Sequence, residues 1–107
     1  IILLGGNDAL QRVPIEETFA NLRTIIADIQ KRGAIVLLLG VRGGLINNDF
    51  DSEFEALAAE TGSAFVPDIL DGLFGNTTYM ADGIHPNDAG NVIIADRVAP
   101  VLEGLIK

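Results

Sequence analysis

The stretch Ile1-Ile2-Leu3-Leu4-Gly5-Gly6-Asn7-Asp8 decides the fold. Four consecutive apolar residues are stopped by a glycine pair. A helix spaces its apolar residues three and four apart, and a half-buried strand alternates them. A short unbroken run bounded by turn residues is the pattern of a strand buried on both faces, the kind found in parallel sheets. Gly5-Gly6-Asn7-Asp8 then falls at the strand's C-terminal edge, where open α/β sheets bind their ligands. The plain alternative is a tight turn with no further role, and these four residues suit one well.

The same grammar repeats downstream. Pro14 opens a helix, with Glu16 and Glu17 in the first turn, where the helix dipole favours anions. Phe19, Leu22, Ile26 and Ile29 recur at helical spacing, and Gly33 supplies the stop. Ala34–Leu39 is a second buried-type strand, followed by a glycine- and asparagine-rich loop to Asn48. Asp51 or Ser52 can cap the next helix, whose inner face is Phe50, Phe54, Leu57 and Ala58. Ala64–Val66 is a third short strand, stopped by Pro67. The stretch Asp68–Ala81 is irregular, with at most one helical turn. Asn87 caps the last helix, with Ile94, Val98, Val101 and Leu105 inward, and Pro100 predicts a kink or a break. Strands alternating with helices give a parallel sheet with right-handed crossovers.

Composition narrows the function. A length of 107 residues allows one domain at most, and small for an α/β enzyme. A hydrophobic fraction of 49% with a mean hydropathy of +0.37 requires extensive burial, so the chain reads as the inner part of something larger. The absence of cysteine excludes disulfides and thiolate metal sites. A net charge of −8 without a basic patch argues against nucleic acid as a partner. The apolar runs are far shorter than the roughly 20 residues of a membrane span.

The residues able to do chemistry are few. Asp82 and His85, the only histidine, sit three apart just before the last helix. Acyl transfer needs an imidazole to move a proton and a carboxylate to hold it in the right tautomer. One short loop can supply both; a solvated polar loop is the alternative. Asn7 carries an amide that can donate to a developing oxyanion. Other patterns fail. Asn47, Asp49 and Asp51 imitate a calcium loop, but Ser52 stands for its glycine and Ala58 for its closing glutamate. The Gly40–Gly44 stretch lacks the Lys-Ser/Thr of a phosphate loop, and one histidine does not make a metal site.

Gly5-Gly6-Asn7-Asp8 and Asp82-Gly83-Ile84-His85-Pro86, in this order and at this separation, resemble two conserved blocks of the SGNH (GDSL-type) hydrolases. The likeness is greatest to the small thioesterase I, lysophospholipase and arylesterase type, and it covers essentially the whole chain. It implies a three-layer α/β fold with a flavodoxin-like parallel sheet, of which these strands are the third, fourth and fifth. It implies hydrolysis of a small carboxylic ester or thioester through an acyl-serine, with no cofactor. Asn7 becomes the oxyanion donor, and Asp82 and His85 the acid-base members of the triad. Arg42, Gly43, Gly44, Leu45 and Ile46 fall where relatives place a substrate loop, although the sequence there is not the usual one.

The family's Gly-Asp-Ser nucleophile block is absent. The serines, Ser52 and Ser63, do not follow Gly-Asp and read as helix-end residues. The expectation is that residues 1–107 are the C-terminal part of a single hydrolase domain. The nucleophile would then lie two βα units before Ile1, on the order of 60 residues away. Family habit suggests a periplasmic or secreted protein. The rival readings are a non-enzymatic α/β binding module and an acyltransferase of the same fold.

Overall fold

Ile2 enters a sheet where the sequence places its first strand. Its N–H donates to the Leu37 carbonyl at 2.9 Å, and its carbonyl accepts from the Leu39 N–H at 2.9 Å. The result is a parallel bridge to Leu38. The structure, a computed structural model, describes residues 1–42 and 49–107. Two units, Ile1–Asp68 and Ile69–Lys107, have separate internal packing.

In the first unit, the elements are α1 (Gly6–Leu10), α2 (Ile15–Lys31), β1 (Leu37–Leu39), α3 (Asp49–Thr61) and β2 (Ala64–Val66). β1 and β2 pair in parallel, with Leu37 opposite Ala64 and Leu39 opposite Val66. α2 packs on α3, and α3 on β2. The core is Phe19, Leu22 and Ile26 from α2, Leu37–Leu39 from β1, and Phe50, Phe54, Leu57 and Ala58 from α3. Phe19, Phe50 and Phe54 meet edge to face at 4.9–6.0 Å between ring centres, the geometry that aromatic quadrupoles favour. The helical faces read from spacing are therefore the buried ones, with Ile29 only half-buried.

Several boundaries differ from expectation. The run Ile1–Leu4 is not buried on both faces: Ile2 is 7% exposed, but Ile1, Leu3 and Leu4 are exposed. Among the described residues it pairs along one edge, with Leu38. β1 is shorter than Ala34–Leu39, and Ile35 is exposed. α3 begins at Asp49, so Asp51 and Ser52 lie in its first turn rather than capping it.

In the second unit, successive turns from Ile69 to Tyr79 precede α4 (Asp88–Ile106). Gly72 and Gly75 take φ of 76° and 77° in these turns, a region open to glycine. Arg97 ties them to the helix, donating to the carbonyls of Ile69 at 2.8 Å and Asp71 at 2.7 Å. Asn87 caps α4 as expected, accepting from the Gly90 N–H at 2.9 Å. The helix is not split at Pro100. Pro100 and Asp96, whose carbonyl loses its donor, are both exposed, so water can take that bond. The stripe Ile94, Val98, Val101 and Leu105 is half-buried rather than fully inward.

Candidate active site

The Asp82–His85 segment is a closed loop. Met80 and Pro86 form an antiparallel bridge at its neck, and the Ala81 N–H donates to the His85 carbonyl at 2.8 Å. Inside, Asp82 Oδ1 accepts from the N–H groups of Ile84 at 2.8 Å and His85 at 2.7 Å. Aspartate readily bonds the backbone two and three residues on, which is why it nucleates such turns. Asp82 Oδ2 lies 2.8 Å from His85 Nδ1. Both side chains stay open, at 67% exposure for His85 and 56% for Asp82.

The electrostatics follow from those bonds. The Ile84 N–H, then the His85 side chain and N–H, hold the Asp82 carboxyl at a pKa of about 2, below its ordinary 3.8. Donors that bond only the charged form stabilise it. Asp82 is thus a carboxylate throughout the neutral range. A carboxylate accepts but does not donate, so the neutral imidazole carries its proton on Nδ1, and Nε2 presents a lone pair. Nε2 has no bonding partner among the described residues.

Asn7 is placed differently. It sits not in a plain turn but in the first turn of α1, a five-residue helix. So short a helix does not persist by itself and needs outside support. Gly5 caps it at φ 114°, and a Cβ there would meet the Phe54 ring at 3.3 Å. The backbone angle favours glycine, and the close ring adds to that preference. Gly6 has open space around it, so close approach applies to Gly5 alone. Asp8 accepts from the Thr18 hydroxyl at 2.9 Å, and Thr18 on α2 is the buried polar side chain of the core. The Asp8 carbonyl also accepts from the Val13 N–H at 2.9 Å while Arg12 N–H reaches Ala9 at 3.2 Å. With Arg12 at φ 58°, this is a left-handed helix stop normally given to glycine. Asn7 is exposed, and its side-chain amide makes no bond to a described residue. The sequence reading missed Asp8 and Thr18; Asp8 in the Gly-Gly-Asn-Asp motif was the available signal.

The remaining sequence-predicted residues divide. Arg42 N–H donates to Asp68 Oδ1 at 3.2 Å, and its guanidinium lies 3.8 Å from Asp51. Gly43, Gly44, Leu45, Ile46 and Asn47 lie outside the described residues. Ser52 donates to the Asp49 carbonyl at 2.9 Å within α3. Ser63 pairs with the Thr61 hydroxyl at 2.7 Å and precedes β2, at the N-terminal edge of the sheet. Asn7 follows the strand residue Ile2, toward the opposite edge.

Residues 1–93 match the GDSL-like lipase/acylhydrolase family. The chain belongs to that family. Esterase TesA of Pseudomonas aeruginosa is 35% identical over 99% of this chain and 56% of its own length. Thioesterase 1/protease 1/lysophospholipase L1 of Escherichia coli is 31% identical over 99% of this chain and 54% of its own. The chain thus spans about half the length of these relatives. The crystal structure of TesA superposes with a TM-score of 0.87, covering 96% of this chain and 61% of TesA at 35% identity. AlinE4, an SGNH-hydrolase family esterase, gives 0.64, covering 97% of this chain and 58% of its own at 25% identity. The parallel α/β architecture of this chain is accordingly that of the SGNH hydrolases, a flavodoxin-like sheet. No helix among the described residues is long and apolar enough to cross a membrane.

Proposed function

We propose that this chain supplies the acid-base pair and an oxyanion donor for hydrolysis of small carboxylic esters or thioesters. The observation that carries the reading is the 2.8 Å contact of His85 Nδ1 with the Asp82 carboxylate, which leaves Nε2 open for a proton. The relatives' names, esterase and thioesterase/lysophospholipase, support the substrate class.

In this reading the nucleophilic serine lies on a segment N-terminal to Ile1, and residues 1–107 complete one domain with it. His85 Nε2 takes the serine hydroxyl proton as the oxygen attacks the substrate carbonyl carbon. Asp82 holds the ring and stabilises the imidazolium that forms. Asn7, together with backbone amides, donates to the carbonyl oxygen as it becomes an oxyanion. The C–O or C–S bond breaks, and His85 returns the proton to the leaving alkoxide or thiolate. Water repeats the cycle on the acyl-serine and regenerates the hydroxyl.

A fluorophosphonate probe tests the reading on the full-length protein. It is expected to label a serine upstream of Ile1 and to leave Ser52 and Ser63 unmodified. Labelling at Ser52 or Ser63, or undiminished ester hydrolysis in His85→Ala, would overturn it. Product analysis with an added alcohol separates hydrolysis from acyl transfer.

A further inference from the structure

Asn87 stands where α4, the dyad loop and the segment before that loop meet. Four of its groups are bonded, the backbone carbonyl accepting from the Asn91 N–H at 2.9 Å. Its backbone N–H donates to the Tyr79 carbonyl at 2.9 Å. Its side-chain Nδ2 donates to the Thr78 carbonyl at 2.9 Å. Its Oδ1 accepts from the Gly90 N–H at 2.9 Å. The last of these is an ordinary helix cap, which serine or aspartate makes equally well. The Nδ2 bond is different in kind. It needs a side chain that donates and accepts at once, which asparagine does and those other caps, at this reach, do not.

The position of the Nδ2 bond gives it a consequence. Thr78–Tyr79 and Asn87 are the two ends of the segment that carries Asp82 and His85. Between these ends, the Met80–Pro86 bridge, the Ala81–His85 bond and the bonds of the Asp82 carboxylate are all internal to the loop. Gly90 allows the close approach: a Cβ there would run into the Tyr79 carbonyl oxygen and stand 2.9 Å from Pro86 Cβ. The loop is exposed at both functional side chains.

We infer that Asn87 is a positioning residue for the Asp82–His85 pair. Its side-chain N–H fixes the incoming strand of the loop to the helix start, so the imidazole is presented from a frame with one geometry. The inference rests on the hydrolase reading for its catalytic consequence.

Two variants separate positioning from capping in the full-length protein. Asn87→Asp keeps the shape and the acceptor but removes the donor. Asn87→Ser keeps a neutral acceptor but is too short to reach Thr78. Both retain the cap, so thermal midpoints should stay close to wild type, whereas Asn87→Ala should lose stability as well. The expected result is a kcat about ten- to hundredfold lower in both capping variants, the scale of a small misplacement of a reacting group. KM should change little. The ¹⁵N signals of the His85 ring should be narrow in wild type and should broaden or split in both variants. Wild-type kcat with unchanged ring signals in both variants would leave Asn87 a helix cap and overturn the inference. His85→Ala is the reference: activity retained there defeats the hydrolase reading, while the ring signals still decide whether Asn87 orders the pair.

Discussion

The bonds that join Asp82 to His85 are confined to their own loop, whereas the helix that carries Asn7 is held by residues of α2 and α3. The first arrangement is written within Ala81–His85: two amides on one carboxylate oxygen and the imidazole on the other. The second depends on the Phe54 ring beneath Gly5 and on the Thr18 hydroxyl that grips Asp8. Asn7 contributes nothing to its own placement. Disturbing the aromatic core is therefore expected to reach the Asn7 helix, whose supports stand there.

The largest effect should come from the dyad. In the full-length enzyme, His85→Ala is expected to lower kcat on the order of 10⁶-fold and Asp82→Ala on the order of 10⁴-fold. The double variant should be little worse than His85→Ala, because the pair acts as a unit. Additive losses in steady-state kinetics would mean that the two groups work separately.

Next comes Asn7→Ala, expected to lower kcat about 10²–10³-fold with a much smaller change in KM, the pattern of a donor used in the transition state. Thermal stability should not move, since the side chain bonds nothing among the described residues. A kcat within a few-fold of wild type would make Asn7 a turn residue.

The comparison is sharpened by Gly5→Ala, which touches no reacting group. A non-glycine residue at φ 114° carries about 1–3 kcal/mol of backbone strain, and the Phe54 ring must also give way. Chemical denaturation should report that loss, and kcat should fall in the manner of Asn7→Ala. The ring ¹⁵N signals of His85 should stay as in wild type. A shift in those signals would erase the distinction between the two regions.

The smallest effect is a pH response. The folded pKa of Asp82, about 2, lies below its ordinary 3.8. A depressed acid contributes stability that is complete above the unfolded value and is lost as pH falls toward the folded one. The loop should therefore keep its bonds at pH 4 and surrender them only as pH approaches about 2. Carboxyl ¹³C shifts of Asp82 measured through that window give the midpoint; a titration near 3.8 would mean that the amide bonds do not hold it.

The same contrast explains what the sequence made legible. Asp82-Gly83-Ile84-His85 is readable because its bonds join residues that are close in the chain. So are the Pro14 start of α2, its Gly33 stop and the Asn87 cap, each a local backbone event. The faces of α2 and α3 follow from spacing, since one periodicity selects one face. The helical form of Gly6–Leu10 was not readable: its supports, Thr18 and Phe54, are far along the chain. Pro100 does not split α4, because the bond it removes lies where water can replace it. Neither helix spacing nor motif matching singles out the Nδ2 bond of Asn87, which depends on where the Thr78 carbonyl ends up.

One feature of the dyad reaches beyond the histidine itself. The Asp82 carboxylate is seated by the Ile84 and His85 amides, both main-chain groups that survive any change of side chain at position 85. The carboxylate is thus assembled before an imidazole arrives and remains after one is removed. Its free oxygen is a berth, and the berth does not distinguish a tethered ring from a dissolved one. In His85→Gly of the full-length enzyme, millimolar imidazole supplied from solution should restore a measurable part of the ester turnover. In Asp82→Ala/His85→Gly, where the berth is gone, it should restore none.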